Sequence, residues 1–358
     1  MSDPELLDRL RGTVMALCGP ALEGRQTGAP GGVAACDLLE QALQRLGLEP
    51  CGEEGYRQRV PGCGGTNLLA RVPGRGPLAE RAVLVGAHYD HLGRDGQDVY
   101  WGADDNAAAV AITLELGRSL LRRPPEGRQV VLALFDAEEP PHFTNESMGS
   151  MRFCARPTVP LAEIDLMVCM DLVGHACGGP ALPDEVRRSL FVLGAELSRG
   201  TPALVDRVAA RARGVFPRRL HADVIPPLSD YYAFWRREVP FVFLSCGRWE
   251  HYHMPSDTPE RLDWDKLAAT GAFLEDLVRE AAARPEPRVA FLREGSDDLA
   301  SVRSLLEVGR LLLPTHPQLA GLLPGVEALA ARAARGPLSL PQRQQLSILV
   351  GGLEEMLR

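Results

Sequence analysis

Three uninterrupted apolar runs in this chain each end on groups that an apolar core cannot hold alone. Val83–Ala87 leads to His88 and Asp90, Val130–Phe135 to Asp136, Glu138 and Glu139, and Leu166–Met170 to Asp171. Runs of this length without polar interruption read as strands buried on both faces, the pattern of a parallel sheet. After the first run comes a loop rich in Gly and Asp, and then GADDN (102–106) opens an alanine-rich helix. In an open α/β sheet, ligands bind beyond the carboxyl ends of the strands, where all of these polar groups lie.

The remaining sequence continues the alternation. Residues 3–18 and 31–46 pattern as helices, the second with Leu39, Leu43 and Leu46 at helical spacing and Gly47 to end it. Strands are predicted over 67–74, 81–90, 128–140, 166–174 and 241–247, the first two joined by a Pro/Gly turn. Helices are predicted over 106–121, 147–155, 184–198, 229–237 and 263–283, with 201–228 irregular. This order predicts an α/β fold with a mostly parallel central sheet flanked by helices. RPEPR (284–288) opens a linker reaching 296, and Pro314, Pro317 and Pro337 divide the rest into helices over 297–313, 317–335 and 341–357. The predicted organisation is a domain over 1–283, a linker over 284–296 and an all-helical C-terminal extension over 297–358. The apolar face of Leu299, Val302, Leu305 and Leu306 needs a partner, so packing or homo-oligomer formation through these helices is its expected use.

Charge and composition narrow the partners. The 47 acidic and 39 basic residues leave a net charge of −8 with no Lys/Arg block, so nucleic acid is not expected as a partner. The start, MSDPELLDRLRG, lacks the apolar core of a secretory leader, and no stretch resembles a membrane span. A cytoplasmic protein without a membrane partner is expected. The eight cysteines contain no CxxC pair and read as free thiols, with Cys51 and Cys63 the pair that an oxidising compartment would join.

Collected at one rim, the strand ends hold His88, Asp90, Glu138, Glu139 and Asp171, joined by Asp104 and Asp105 from the loop and His253 from beyond the strand FVFLSCG. Imidazoles and carboxylates together suit two zinc ions, and also manganese or cobalt. So many charges at one rim need cations to offset them. Taken singly, each has a plainer reading: His88 a satisfied core histidine, Asp104–Asp105 a helix cap, Glu138–Glu139 a solvated turn. His251 competes with His253, while His91, His142, His175 and His221 read as loop or rim residues.

The ordered series EGRQTGAPGG (23–32), GAHYDH (86–91), GADDNAAAVA (102–111), FDAEE (135–139), MGS (148–150), MDLVG (170–174), SDYYAF (229–234) and HMPSDTPERLD (253–263) resembles peptidase family M28, the two-metal zinc aminopeptidases and glutaminyl cyclases. The resemblance spans about residues 5–280. It implies a zinc exopeptidase-like (phosphorylase/hydrolase-like) fold and two zinc ions per chain. It places His88 and Asp171 on one metal, Glu139 and His253 on the other, and Asp104 as the bridging carboxylate. Glu138 matches the general base that moves a proton from water to the leaving amine, and Asp90 the acid that orients His88. It also implies a cis bond between Asp104 and Asp105.

Where that family commonly reads SDH, this chain reads SDYYAF, so Tyr231 replaces a histidine near the pocket. Phe143 on the long connection EEPPHFTNESMGS, with Trp249 and Tyr252 ahead of His253, is expected to wall a partly apolar substrate site. The expected activity is cleavage of an amide in a peptide or small amide, with release of an N-terminal residue. The alternatives are a one-zinc glutaminyl cyclase-like acyltransferase, suggested by DLVGHA and FWRREVPFVFLS, and a non-catalytic peptide-binding scaffold.

Overall fold

The apolar runs form the centre of a nine-stranded sheet in the computed structural model, which describes residues 3–358. The first half carries helices α1 (Pro4–Leu17) and α2 (Pro30–Leu46), then strands β1 (Glu49–Pro50), β2 (Arg57–Arg59), β3 (Thr66–Val72) and β4 (Ala82–His88). A hairpin of β5 (Gly93–Asp95) and β6 (Asp98–Tyr100) precedes α3 (Ala108–Arg122) and β7 (Gln129–Phe135). Next come α4 (Gly149–Ala155), β8 (Ile164–Met170), α5 (Asp184–Arg187), β9 (Ser189–Leu193), α6 (Thr201–Ala209) and β10 (Phe216–Leu220). Helix α7 (Tyr231–Trp235), β11 (Phe241–Ser245) and α8 (Trp264–Ala282) complete the sheet domain.

Spatial order in the sheet is β1-β3-β7-β4-β8-β11-β9-β10, with β2 pairing β3. The central strands β7, β4, β8 and β11 are mutually parallel, so their carboxyl ends share one rim. Antiparallel pairs β3–β7 and β11–β9 flank them. Every residue of β4, β7, β8 and β11 is buried, which explains their lack of polar alternation. Helices α3 and α8 pack against the sheet, and α1 packs on both of them. Phe135 of β7 meets Phe153 of α4 and Phe234 of α7 at ring separations of 6.1 and 6.2 Å, building an aromatic layer beneath the rim. Among the described residues no helix is long and apolar enough to cross a membrane, and all eight cysteines are free, Cys51 and Cys63 included.

Two stretches differ from the sequence expectation. Residues 184–198 form one helical turn and then strand β9, because SLFVL fills the space between β11 and β10. The stretch 201–228 contains α6 and β10. Strands β3 and β4 are joined through the turn at Gly76–Leu78, as expected, with β7 lying between them in the sheet.

Residues 284–296 are not a free linker either. The backbone of Val289 donates to the Asp165 carboxylate, Leu292 donates to the Leu197 carbonyl, and Arg128 donates to the carbonyls of Arg284 and Glu286. The chain is thereby led across to α9 (Asp298–Leu312), α10 (Leu323–Ala333) and α11 (Leu340–Met356). Helix α9 packs on β10, and Val302, Val308, Leu312, Leu346 and Leu353 join the same buried cluster as the sheet. A capping box of Ser339 and Gln342 starts α11.

Candidate metal centre

The rim brings two imidazole–carboxylate clusters onto one shared acid, Asp105. His88 Nε2 lies 3.3 Å from Asp105 Oδ1 and 3.6 Å from Asp171 Oδ1. On the other side, His253 Nε2 lies 3.3 Å from Asp105 Oδ2 and 3.1 Å from Glu139 Oε2. His91 joins this second cluster, with Nδ1 2.8 Å from Glu139 Oε1 and 3.9 Å from Asp105 Oδ2. In the first cluster His88, Asp105 and Asp171, and in the second His91, Asp105 and Glu139, have ligand atoms close enough to share one cation.

Asp104, expected as the bridging acid, points elsewhere. Its carboxylate accepts the backbone N–H groups of Gly174 (2.6 Å) and His175 (3.1 Å) and pairs with His175 Nδ1 at 2.6 Å. Those bonds direct its carboxylate away from the two clusters, so that its neighbour Asp105 would be the acid shared by any bound cations. The cis peptide bond is likewise one residue later than expected, at Asp105–Asn106.

Several residues place Asp105. The Asp257 carboxylate accepts the backbone N–H groups of both Asp104 and Asp105. Gly102 enters the turn at φ +57°, where an added Cβ would sit 2.2 Å from the Asp105 carbonyl and 2.6 Å from the His91 ring, so glycine is required. Arg25, fully buried, donates to the carbonyls of Leu17, Tyr89, Trp101 and Gly102, pinning this turn to the end of β4.

Asp90 lies with Oδ1 3.6 Å from His88 Nδ1, and its carboxylate also accepts the backbone N–H groups of Glu138 and Glu139. One acid therefore sets both a candidate ligand and the candidate base. Ala137, Leu172 and His253 all have φ between 54° and 59°. Left-handed backbone at three non-glycine positions beside the cluster marks a site whose surroundings over-determine its geometry.

The donor set fits divalent cations. Buried His88 Nε2, His91 Nε2, Asp171 Oδ1 and Glu138 Oε1 have no hydrogen-bond partner, an arrangement that an apolar core does not tolerate without a ligand. Nitrogen and carboxylate oxygen are zinc donors, and His88 with Asp171, then His253, His91 and Glu139, would hold two such ions about Asp105. Burial acts to lower the His88 imidazole, but Glu138 and Asp171 outweigh it and hold its pKa well above the usual value. Burial likewise opposes charge on His253, whose hydrogen bonds to Asp105 and Glu139 lift it to about 10. The site favours positive charge at both clusters. Burial, reinforced by Asp171 and Glu139, pushes the Glu138 carboxyl well above its usual range, while His88 opposes the shift.

The four expected substrate-wall residues separate. Tyr252 stacks on His253 at 3.9 Å and borders a cavity that also reaches Asp171. Trp249 instead stacks on His175 at 4.8 Å, supporting the Asp104–His175 pair. Phe143 is half-buried on the loop after β7 and does not line that cavity. Tyr231 belongs to the core: it is 1% exposed, stacks on Phe241 and Phe243, and its hydroxyl bonds to the Leu228 N–H and the Pro226 carbonyl. The aromatic face of β11 draws its ring inward. His91 and Asp257 were the residues sequence reasoning missed. Their signals are GAHYDH and HMPSDT, in which His91 follows the assigned ligand His88 by three residues and Asp257 follows His253 by four.

Comparison with known proteins places the chain in a family. Residues 67–278 match the model of peptidase family M28. The chain is 30% identical over 234 residues to YfbL of Escherichia coli, an uncharacterized protein, covering 59% of this chain and 70% of that one. It is 26% identical over 303 residues to a glutaminyl-peptide cyclotransferase of Gloydius blomhoffii, covering 73% of this chain and 78% of that one. Its fold is similar to that of the LapA aminopeptidase of Legionella pneumophila, with TM-score 0.61, 15% identity and coverage of 78% of this chain and 73% of that one. With more than half of its length matched, the chain belongs to peptidase family M28, as a metal-dependent enzyme acting on peptides.

Proposed function

We propose that this protein is a zinc aminopeptidase that removes an N-terminal residue from peptides, with two ions held on either side of Asp105. The observation that carries this reading is the placement of Asp105, whose two carboxylate oxygens each face a different imidazole cluster. Zinc bound there would lower the pKa of water and polarise an amide carbonyl.

The protein's own groups supply the rest. Glu138 Oε2 lies 3.9 Å from His88 Nε2, and Glu138 Oε1 has no hydrogen-bond partner, so the carboxylate is free to hold a proton at the centre of the site. Burial raises its proton affinity, which suits a group that takes a proton from water and returns it to the leaving amine. Asp90 keeps Glu138 in place through its backbone N–H. His253, with a side chain 29% exposed, marks the open side from which a peptide enters. A free α-amine is matched by the surrounding carboxylates, whereas an acylated one lacks the charge for such bonds.

The similarity to glutaminyl-peptide cyclotransferases favours a second reading, in which Glu138 moves a proton from the α-amine of an N-terminal glutamine to its departing amide nitrogen without water. Zinc-loaded enzyme presented with a Leu-peptide, its N-acetyl form and a Gln-peptide separates the two. The aminopeptidase reading expects free leucine, no cleavage of the acetylated peptide and no pyroglutamyl product. Pyroglutamyl peptide with ammonia from the Gln-peptide alone would establish the cyclase, and faster cleavage of the acetylated peptide would exclude both.

A further inference from the structure

The C-terminal helices lie outside the residues matched by the family model, yet they reach the metal centre. A cavity lined by Asp171 and Tyr252 is also lined by residues of the sheet and of the extension. Leu193 and Phe243 supply its sheet side, while Leu305 of α9, Val350 and Leu353 of α11 and Leu357 just after it also line it. The end of α11 is tied to both loops that carry site residues. The Leu357 carbonyl accepts the N–H of Gly178, in the loop that follows Asp171. Glu354 accepts the backbone N–H of Arg248 (3.0 Å) and pairs with its guanidinium at 2.8 Å, on the loop that leads to His253.

We propose that the extension is a specificity element: α9 and α11 complete a pocket that receives the apolar side chain of the substrate's N-terminal residue. This deepens the aminopeptidase reading and rests on it for the identity of the occupant. Continuity with the candidate metal centre argues for this occupant, since the pocket is lined by a candidate ligand, Asp171, and by Tyr252, the ring stacked on His253. Its chemistry follows from the walls. Arg248 and Glu354 neutralise each other, the Ser245 hydroxyl accepts the Gly247 N–H, and the Ser304 hydroxyl donates to the Arg219 carbonyl. A leucine, methionine or phenylalanine side chain gains burial here, whereas the glutamine amide would exchange water for hydrocarbon.

The test uses zinc-loaded, full-length enzyme and the amides of alanine, leucine, phenylalanine and glutamine. Val350→Phe fills the pocket and is expected to lower the Leu:Ala ratio of kcat/KM by about tenfold or more, the scale on which an apolar pocket discriminates side chains. Leu353→Ala, which enlarges it, is expected to raise the Phe:Leu ratio. Ile348→Gln on the same helix is a control, because Ile348 is 75% exposed and its replacement should leave both ratios unchanged. A merely structural role would lower all substrates alike, and that result, or unchanged ratios in both pocket variants, would overturn the proposal. Calorimetric binding of 3-methylbutylamine, a leucine without its carboxyl group, gives a readout independent of turnover. If the enzyme proves to be a cyclase, tenfold weaker binding to Val350→Phe still supports an apolar pocket built by the extension. Equal binding to both proteins refutes it.

Discussion

At the scale of single residues, one position separates a bridging acid from a structural one. Asp104 and Asp105 precede the same helix and share the same neighbours in sequence, but their carboxylates diverge. The first is held by Gly174 and His175, and the second lies between His88 and His253. Under the two-zinc proposal, Asp105→Asn is therefore expected to lower the zinc bound per chain to one ion or none, measured by plasma mass spectrometry. Asp104→Asn should retain zinc and lower thermal stability instead, because its amide group cannot accept all three bonds. Interchanged zinc contents would reverse the assignment. In the same assay Glu138→Gln should keep its zinc while kcat falls by at least about 10²-fold, the effect of removing proton transfer. Glu139→Gln should lose zinc.

At the scale of elements, the join between β9, β10 and the extension carries a titrating group. Glu196 lies in the turn after β9, is 3% exposed, and accepts the Ala222 N–H at 2.7 Å through Oε1, while Oε2 has no partner. Burial chiefly, with repulsion from Asp297, pushes its carboxyl up to about 8. A carboxyl whose folded pKa is raised contributes stability fully present below its unfolded value of about 4.3, and this is lost as pH rises through the folded value. Stability should thus fall between about pH 4 and pH 8, and Glu196→Gln should flatten that fall and raise the Tm at the alkaline end. Parallel melting curves of wild type and variant check this; identical slopes would mean that Glu196 ionises in both states alike. The same region shows where local pattern yields to pairing. Residues 189–193 have apolar spacing compatible with a helix, but β11 and β10 offer hydrogen-bonding edges on both sides and β9 forms between them.

At the scale of the whole molecule, buried like charges make metal and fold interdependent. Asp105, Glu138, Glu139 and Asp171 are all at most 7% exposed and converge on one rim. Ligands that bind only the folded state stabilise it by about 2.7 kcal/mol at 100 times their Kd. Zinc at such a concentration is expected to raise the Tm by several degrees, and a chelator to reverse the gain. A Tm indifferent to zinc would show that the acids reach neutrality by protonation alone.

Much of this architecture was legible in the chain. Uninterrupted apolar runs have no favourable place except strands covered on both faces, so β4, β7, β8 and β11, their parallel order and the rim carrying His88, Glu138, Glu139 and Asp171 follow from local composition. The three C-terminal helices follow from their apolar spacing and the prolines that divide them. Other features depend on groups distant in sequence and had no local signature. Asp257, more than 150 positions downstream, orients the backbone that turns Asp105 rather than Asp104 toward the imidazoles. The aromatic face of β11 takes Tyr231 into the core. The extension, which reads by itself as an appendage, meets the catalytic rim because Glu354 and Leu357 bond to the loops after β11 and β8. Hydrophobic periodicity acts over a few residues and specifies elements, whereas a carboxylate's direction and a pocket's walls are set by which distant donors and side chains arrive beside them.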